Sequence, residues 1–147
     1  ARPNRDGEGI LSFPTNVSNV PIEVLESSTP IRYHEKSLIP NSAGMGKFRG
    51  GLGQKIIFEV LNESGLNMSV LTEKLITVSK GLNGGKDSIH GKISISPERF
   101  IPPKGIIRLK KGDIVTMEMP GGGGYGNEND RDPELIKYDQ DLGYIHS

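Results

Sequence analysis

Hydrophobic and polar residues alternate in several short runs along the chain, with the period of two that is typical of a β-strand. At residues 92–96, for example, two isoleucines alternate with lysine and serine. Proline and glycine separate the runs and keep each of them short. A briefer alternation at 21–26, which ends before Pro30, has the same period. The strands predicted from this pattern cover residues 31–39, 55–61, 67–72, 92–96, 105–110 and 113–119.

Two of these runs, 55–61 and 67–72, are predicted to pair as a β-hairpin. The residues between them are Asn62-Glu63-Ser64-Gly65, and Asn, Ser and Gly are favoured in the tight turns that join antiparallel strands.

The end of the chain predicts a short α-helix. Asp132 is suited to the N-cap, Pro133 to the first helical position, and Glu134 to the positive N-terminal end of the helix. Gly143 is placed to end the helix. One apolar side of this helix is predicted to consist of Leu135, Ile136 and Leu142.

Glycine and proline make the chain rich in turns. Its 147 residues include 20 glycines and 10 prolines, and glycine usually makes up only about 7% of a chain. We therefore predict a single, mainly β domain, sandwich-like or barrel-like, with a short C-terminal helix. Its parts are an extended N-terminal segment at 1–20, a β-rich core at 21–126, and a turn with the short helix at 127–147.

Charge and cysteine content narrow the classes of function. Lys+Arg and Asp+Glu number 18 each and aromatic residues make up 5%, which argues against a nucleic-acid partner. No apolar run approaches the roughly 18 residues of a membrane span, so no membrane partner is expected. The absence of cysteine fits a reducing compartment, and a cytoplasmic location is expected. Because the chain starts at Ala1, it is either a piece of a longer or processed chain or a chain that has lost its initiator Met.

Two glycine-rich loops have alternative interpretations. Residues 84–86 resemble part of a phosphate-binding loop, but Lys80 and Asp87 stand where that pattern needs glycine and Ser or Thr, which favours a β-turn. Residues 44–53 contain Arg49 and could wrap an anion. A structural loop, in which Arg49 pairs with a buried carboxylate or carbonyl, is favoured because no strand–loop–helix pattern surrounds it.

No local motif for catalysis or metal binding is present. His34, His90 and His146 lie far apart without a metal-ligand spacing, so no metal site is predicted. No serine stands in a Gly-x-Ser-x-Gly elbow. The residues alone therefore indicate a β-rich module without a self-contained catalytic site.

Four successive glycines follow the last predicted strand. Gly121, Gly122, Gly123 and Gly124 are framed by Pro120 and Tyr125, whereas a flexible linker would be rich in serine and other polar residues. This run indicates a backbone that turns tightly or approaches another group closely.

Six stretches of the chain, taken together in this order and spacing, resemble the C-terminal region of the hydantoinase B/5-oxoprolinase family. The resemblance covers nearly the whole chain. The stretches are 19–26 (NVPIEVLE), 40–53 (PNSAGMGKFRGGLG), 81–85 (GLNGG), 111–113 (KGD), 120–126 (PGGGGYG), and 131–134 with 141–144 (RDPE and DLGY).

The resemblance implies a part of an ATP-dependent cyclic-amide hydrolase. Such enzymes phosphorylate a lactam or imide oxygen and then open the ring with water. In this family ATP handling belongs to an A-type subunit, so ATP and a divalent metal are implied for the complete enzyme and no cofactor is expected on this chain. The implied partners are the rest of the B-type large subunit and the A-type ATPase subunit, in a hetero-oligomer. Related large subunits occur in ATP-dependent carboxylases of ketones such as acetone.

On this hypothesis the glycine loops shape one wall of an interdomain site or the contact with the ATPase subunit, and the chain is inactive alone. Two alternatives are open: a non-catalytic assembly module whose glycines only permit tight packing, and part of a ketone carboxylase. No catalytic residue is assigned. The candidates for substrate or interface contacts are Arg49, Gly50, Gly51, Gly121, Gly122, Gly123 and Gly124.

Overall fold

The computed structural model describes residues 1–9 and 20–146, so most of the predicted N-terminal segment, residues 10–19, lies outside the described part. The predicted mainly β fold with a short C-terminal helix is confirmed. No helix within the described ranges is long and apolar enough to cross a membrane. The strands are β1 (Ile31–Ile39), β2 (Gly53–Val60), β3 (Leu66–Leu71), β4 (Lys92–Ser96), β5 (Lys104–Leu109) and β6 (Ile114–Met119). The helical elements are α1 (Ile22–Ser28), a short 3-10 helix at Glu128–Asp130, and α2 (Pro133–Asp141).

The strands form two antiparallel sheets. The larger sheet has the strand order β1-β2-β6-β4, and the smaller sheet pairs β3 with β5. β2 is therefore flanked on both sides: its residue Gln54 is paired in register with Leu38 of β1 and with Met119 of β6. This central position holds the first residues of β2 firmly in place.

Both sheets contribute to one hydrophobic core. β2 supplies Phe58 and Val60, β4 supplies Ile95, β5 supplies Leu109 and β6 supplies Val115. Because alternate side chains of a strand point to opposite faces, each strand needs only every second residue to be apolar. The smaller sheet thus covers the inner face of the larger one, as in a sandwich.

The predicted hairpin between 55–61 and 67–72 is wrong. The turn does form, with the Gly65 N–H donating to the carbonyl of Asn62 at 2.9 Å, but β2 and β3 lie in different sheets. Both edges of β2 are occupied by β1 and β6, and β3 pairs with β5. A period of two specifies which side chains share a face, and it does not specify the neighbouring strand.

The alternation at 21–26 belongs to helix α1 and not to an extended strand. Ile22 and Leu25 are the partly buried residues of this helix, and a separation of three positions is helical. Only eight residues lie between Pro21 and Pro30, which is too few for a period of two to be distinguished from one of 3.6.

Helix α2 begins and ends as predicted. Asp132 is its N-cap and accepts a backbone hydrogen bond from the first turn at 2.9 Å, and Pro133 is the first helical residue. Gly143 follows the helix with a φ of 68°. The buried residue of α2 is Asp139, whereas Leu142, predicted to lie on an apolar side, is 46% exposed. The helix therefore presents a carboxylate to the interior of the protein.

Val115→Ala is expected to lower the free energy of unfolding by about 2 kcal/mol, because it removes two carbons from a fully buried side chain and leaves a cavity. The matched control is Ile106→Ala on β5, where the side chain is 73% exposed and the change should stay within about 0.5 kcal/mol. Urea unfolding followed by circular dichroism measures both changes. Equal losses in the two variants would contradict this location of the core.

Candidate functional site

The glycine run at 121–124 lies between two loops, the glycine-rich residues 44–53 and the residues 80–86. Main chain packs directly on main chain here, and hydrogen bonds reach both loops from the same run. The bonds are Gly44 N–H to Gly122 O (2.9 Å), Gly122 N–H to Gly51 O (2.8 Å), Gly124 N–H to Lys86 O (2.9 Å) and Leu82 N–H to Gly124 O (2.9 Å).

This close approach leaves no room for side chains at most positions of the run. A Cβ atom at Gly121 would lie 2.5 Å from a carbonyl oxygen, and at Gly123 or Gly124 it would lie 2.1 Å from one. Gly50, across the contact, is equally restricted, with a carbonyl oxygen at 2.0 Å. Gly122 differs, because the nearest atom to a Cβ there would be 3.4 Å away, which is an ordinary contact.

Arg49, which precedes Gly50 in the chain, forms a buried ion pair with Asp139. Its Nε and Nη2 donate to the two carboxylate oxygens at 2.9 and 3.0 Å, and its Nη1 donates to the Gly50 carbonyl at 2.6 Å. The ring of Tyr144 lies 5.4 Å from the guanidinium carbon, within the range of a cation–π contact. Arg49 thus pairs with a buried carboxylate, as the structural interpretation of its loop predicted.

A second buried arginine extends this pair. Arg131 donates from Nη1 and Nη2 to the two oxygens of Asp6, both at 2.8 Å, and from Nη2 to Asp139 at 2.7 Å. Asp6 also accepts the backbone N–H of Arg49 at 2.6 Å. We call Asp6, Arg49, Arg131 and Asp139 the buried ion network. Two guanidinium groups face two carboxylates, so the charges balance.

The network perturbs the titration of its members. Burial alone would raise the pKa of the Asp6 carboxyl, because burial disfavours the charged form. Hydrogen bonds from the Arg131 side chain and the Arg49 N–H outweigh burial and hold the pKa of Asp6 below its ordinary value. The hydrogen bonds that Arg131 donates to Asp6 likewise raise the pKa of Arg131 in spite of burial. Asp6 and Arg131 are therefore both charged at neutral pH.

A cavity of about 650 Å³ lies beside the glycine run and includes Asp6 of the buried ion network in its lining. Three parts of the chain meet around it: the N-terminal residues, the beginning of β2 and the end of β6. Its size is within the range of small-molecule sites. The lining consists of Ala1, Arg2, Arg5, Asp6, Gly7, Glu8, Gly51, Leu52, Gly53, Gln54, Ile56, Met119, Pro120, Gly121 and Gly122.

The structure brings only some of the predicted site residues to this cavity. Gly51, Gly121 and Gly122 line it, whereas Arg49 and the other three glycine candidates do not. Because Arg49 is part of the buried ion network, loss of turnover in Arg49→Ala would reflect folding as well as any contact with substrate. Sequence reasoning missed Gln54, which is 7% exposed and lines the cavity. A polar residue at a core-facing position of a strand was the available signal.

Two further sequence features are the phosphate-loop-like residues 84–86 and the possible metal ligands. The β-turn at 82–85 is confirmed, because the Gly85 N–H donates to the Leu82 carbonyl at 3.0 Å and Gly84 has a φ of 90°. Among residues 1–9 and 20–146, no three His, Asp or Glu side chains come together in a group that could hold a metal ion.

The family assignment rests on the sequence model described as Hydantoinase B/oxoprolinase, which matches residues 1–128. This chain belongs to that family. An uncharacterized protein of Methanocaldococcus jannaschii is 39% identical over 124 residues, which are 82% of this chain and 22% of that protein. A putative D-/L-hydantoinase subunit of Pseudomonas sp. is 32% identical, and the match covers 98% of this chain and 25% of that relative. This member of the family thus spans a quarter or less of these two relatives.

A solved structure has the same fold. The nucleotide-free structure of acetone carboxylase, described as carrying out ATP-dependent acetone carboxylation, superposes with a TM-score of 0.75 at 22% sequence identity. The superposition covers 96% of this chain and 24% of the carboxylase chain. The two-sheet architecture is therefore common to this hydantoinase B/oxoprolinase-family chain and to one region of that enzyme.

Asp139→Ala is expected to lower the free energy of unfolding by about 3–5 kcal/mol, because it leaves the buried guanidinium groups of Arg49 and Arg131 without their shared carboxylate. Glu73→Ala is the control: it removes a carboxylate from an exposed pair with Lys104, and the change should be below about 1 kcal/mol. Urea unfolding measures both. Similar decreases in the free energy of unfolding of the two variants would contradict a stabilising role of the buried ion network.

Asp6→Asn is expected to change how stability depends on pH. Because the pKa of Asp6 is lowered in the folded state, its contribution is present above the unfolded-state pKa of about 3.9 and is lost as the pH falls through the folded pKa. The melting temperature of the variant should lie below that of the wild type at pH 7, and this difference should narrow below about pH 4. Glu8→Gln, at an exposed neighbour, is the control. A difference that stays constant from neutral to acidic pH would contradict the assignment.

Proposed function

We propose that this chain forms the C-terminal domain of the B-type large subunit of an ATP-dependent enzyme that opens cyclic amides, and that it supplies one wall of the substrate site. The observation that supports this most directly is the position of the cavity. Two of the stretches that resemble the family, 40–53 and 120–126, meet at its wall and contribute Gly51, Gly121 and Gly122. A wall made of tightly packed main chain holds its shape, which favours precise positioning of a substrate.

The rest of the enzyme would supply the remaining chemistry. The chain spans a quarter or less of the relatives described, and one of them is named as a hydantoinase subunit, which supports a hetero-oligomer. We place ATP and a divalent metal on the A-type ATPase subunit and on the rest of the B-type large subunit. With ATP as co-substrate and no cysteine in the chain, we propose a cytoplasmic location.

One observation favours the assembly alternative. Four large apolar side chains are each more than 70% exposed, on β3, on β5 and in the loops that follow β3 and β4, and exposed apolar surface often marks a contact with another protein. They are Leu71, Ile76, Phe100 and Ile106. The fold shared with acetone carboxylase favours the ketone-carboxylase alternative, but at 22% identity it supports a common architecture only.

The test is ATP consumption by the complete large subunit, which contains this domain, combined with its A-type subunit. The added compounds are 5-oxoproline, hydantoin, or acetone with bicarbonate. Stimulation by a cyclic amide supports the proposed hydrolase. Stimulation only by acetone with bicarbonate, and by no cyclic amide, supports the ketone-carboxylase alternative. Cyclic-amide turnover that persists after this domain is replaced by a flexible linker would contradict its role in the site.

Gly122→Ala and Gly123→Ala are a matched pair of variants that distinguishes a role in the substrate site from a role in packing. Gly122 lines the cavity and has space for a methyl group, so its alanine variant should keep its melting temperature and lower kcat/KM about tenfold. Gly123 does not line the cavity, and its alanine variant should lower the melting temperature because the Cβ would lie 2.1 Å from the Lys80 carbonyl. Normal kinetics in a folded Gly122→Ala enzyme would contradict the proposed wall.

A further inference from the structure

Gln54 is a polar residue on the face of β2 whose other side chains are apolar. Alternate residues of a strand share a face, so Gln54 lies in the same row as Ile56, Phe58 and Val60. Phe58 and Val60 belong to the hydrophobic core, and Ile56 packs against it. Gln54 therefore places a carboxamide at the end of an otherwise apolar row, next to the cavity.

The carboxamide of Gln54 lines the cavity and has no hydrogen-bond partner among the described residues. Gln54 is only 7% exposed, yet its side chain makes no hydrogen bond to residues 1–9 or 20–146. Both a donor and an acceptor at the cavity are thus free for a ligand.

The cavity wall around Gln54 is uncharged. Leu52, Ile56, Met119 and Pro120 line the cavity with apolar surface. The charged lining residues all come from the N-terminal segment, where Arg5 pairs with Glu8 at 3.3 Å and Asp6 binds Arg131. The part of the cavity formed by β2 and β6 therefore suits the uncharged ring of a ligand, with its amide group at Gln54.

We propose that Gln54 recognises the amide group of a cyclic-amide substrate through a pair of hydrogen bonds. A small ring forces its amide into the cis form, so that N–H and C=O point to the same side. The Gln54 side chain presents an NH₂ donor and a C=O acceptor side by side, which matches this arrangement atom for atom. The ring carbons would then lie against the apolar wall. This inference rests on the proposed function, since it specifies how that site selects its substrate.

Ordinary peptide groups fit this site less well. A trans peptide points its N–H and C=O in opposite directions, so one peptide group makes only one of the two hydrogen bonds. An extended segment pairs with both groups of the Gln54 amide only through the N–H and C=O of a single residue, and it then brings its flanking main chain into the cavity. A cyclic amide pairs with both groups without a flanking chain, and we therefore choose it as the occupant.

The register of β2 keeps Gln54 in position for this role. Its backbone is paired on one side with Leu38 of β1 and on the other with Met119 of β6. Immediately before it, the Gly53 N–H donates to the buried hydroxyl of Ser42 at 2.7 Å. Groups on a central strand are held more precisely than groups on loops.

The test uses the complete enzyme with Gln54→Met, which keeps the size of the side chain and removes both hydrogen-bonding groups. The substrate is 5-oxoproline or hydantoin, whichever the wild type turns over, and the competitor is a lactone of the same ring size, which lacks the N–H. We expect kcat/KM to fall about 10- to 100-fold, and the preference for the cyclic amide over the lactone to be lost. Gln54→Glu, which keeps the acceptor and loses the donor, should also lower kcat/KM and provides a second variant if Gln54→Met folds poorly.

The matched control is Gln140→Met, the same substitution at an exposed glutamine of α2. It should leave the kinetics and the preference for the amide unchanged. Unchanged kinetics and preference in Gln54→Met would overturn the inference while leaving the proposed function intact. Failure of Gln54→Met to assemble, with normal kcat/KM in the assembled fraction, would show that the cavity is filled by protein and would overturn it as well. If no cyclic amide stimulates ATP consumption by the wild-type enzyme, the proposed function itself is refuted.

Discussion

Asp139 is the group on which the rest of the structure depends. It is fully buried and accepts hydrogen bonds from both Arg49 and Arg131, while Arg131 holds Asp6. A buried carboxylate is costly without charged partners, and so is a buried guanidinium group. The four residues therefore stabilise the structure only when all are in place. Since they come from the N-terminal segment, the loop before β2, the segment before α2 and α2 itself, their pairing joins parts of the chain that share no sheet.

The glycine contacts adjoin this network. The run at 121–124 passes at main-chain distance between two loops, one of which carries Arg49. At Gly121, Gly123 and Gly124 a methyl group would collide with a carbonyl oxygen. Gly122 alone has room, and it is also a member of the run that lines the cavity. The same packing that requires glycine at three positions of the run thus leaves Gly122 as the position where a methyl group fits beside the cavity.

The cavity combines two features that suit a substrate with few recognisable groups. Its wall is fixed by main-chain hydrogen bonds and by the central strand β2, and its polar contribution from β2 is the single uncharged side chain of Gln54. Cyclic amides share an amide group that the ring holds in the cis form. In the function that we propose for this member of the hydantoinase B/oxoprolinase family, the domain orients the ring while other domains carry out the ATP chemistry.

By itself the sequence determined the local structure and the family. Period-two alternation located the six strands, and Asp132, Pro133 and Gly143 marked the ends of α2, because caps and turns depend on neighbouring residues. The order of glycine motifs identified the family. Only the tertiary structure decided that β3 pairs with β5 and not with β2, that Asp139 is buried, and that Gln54 lines the cavity. These features depend on contacts between residues far apart in the chain, and the free energy that selects them comes from burial and charge pairing, which no local pattern records.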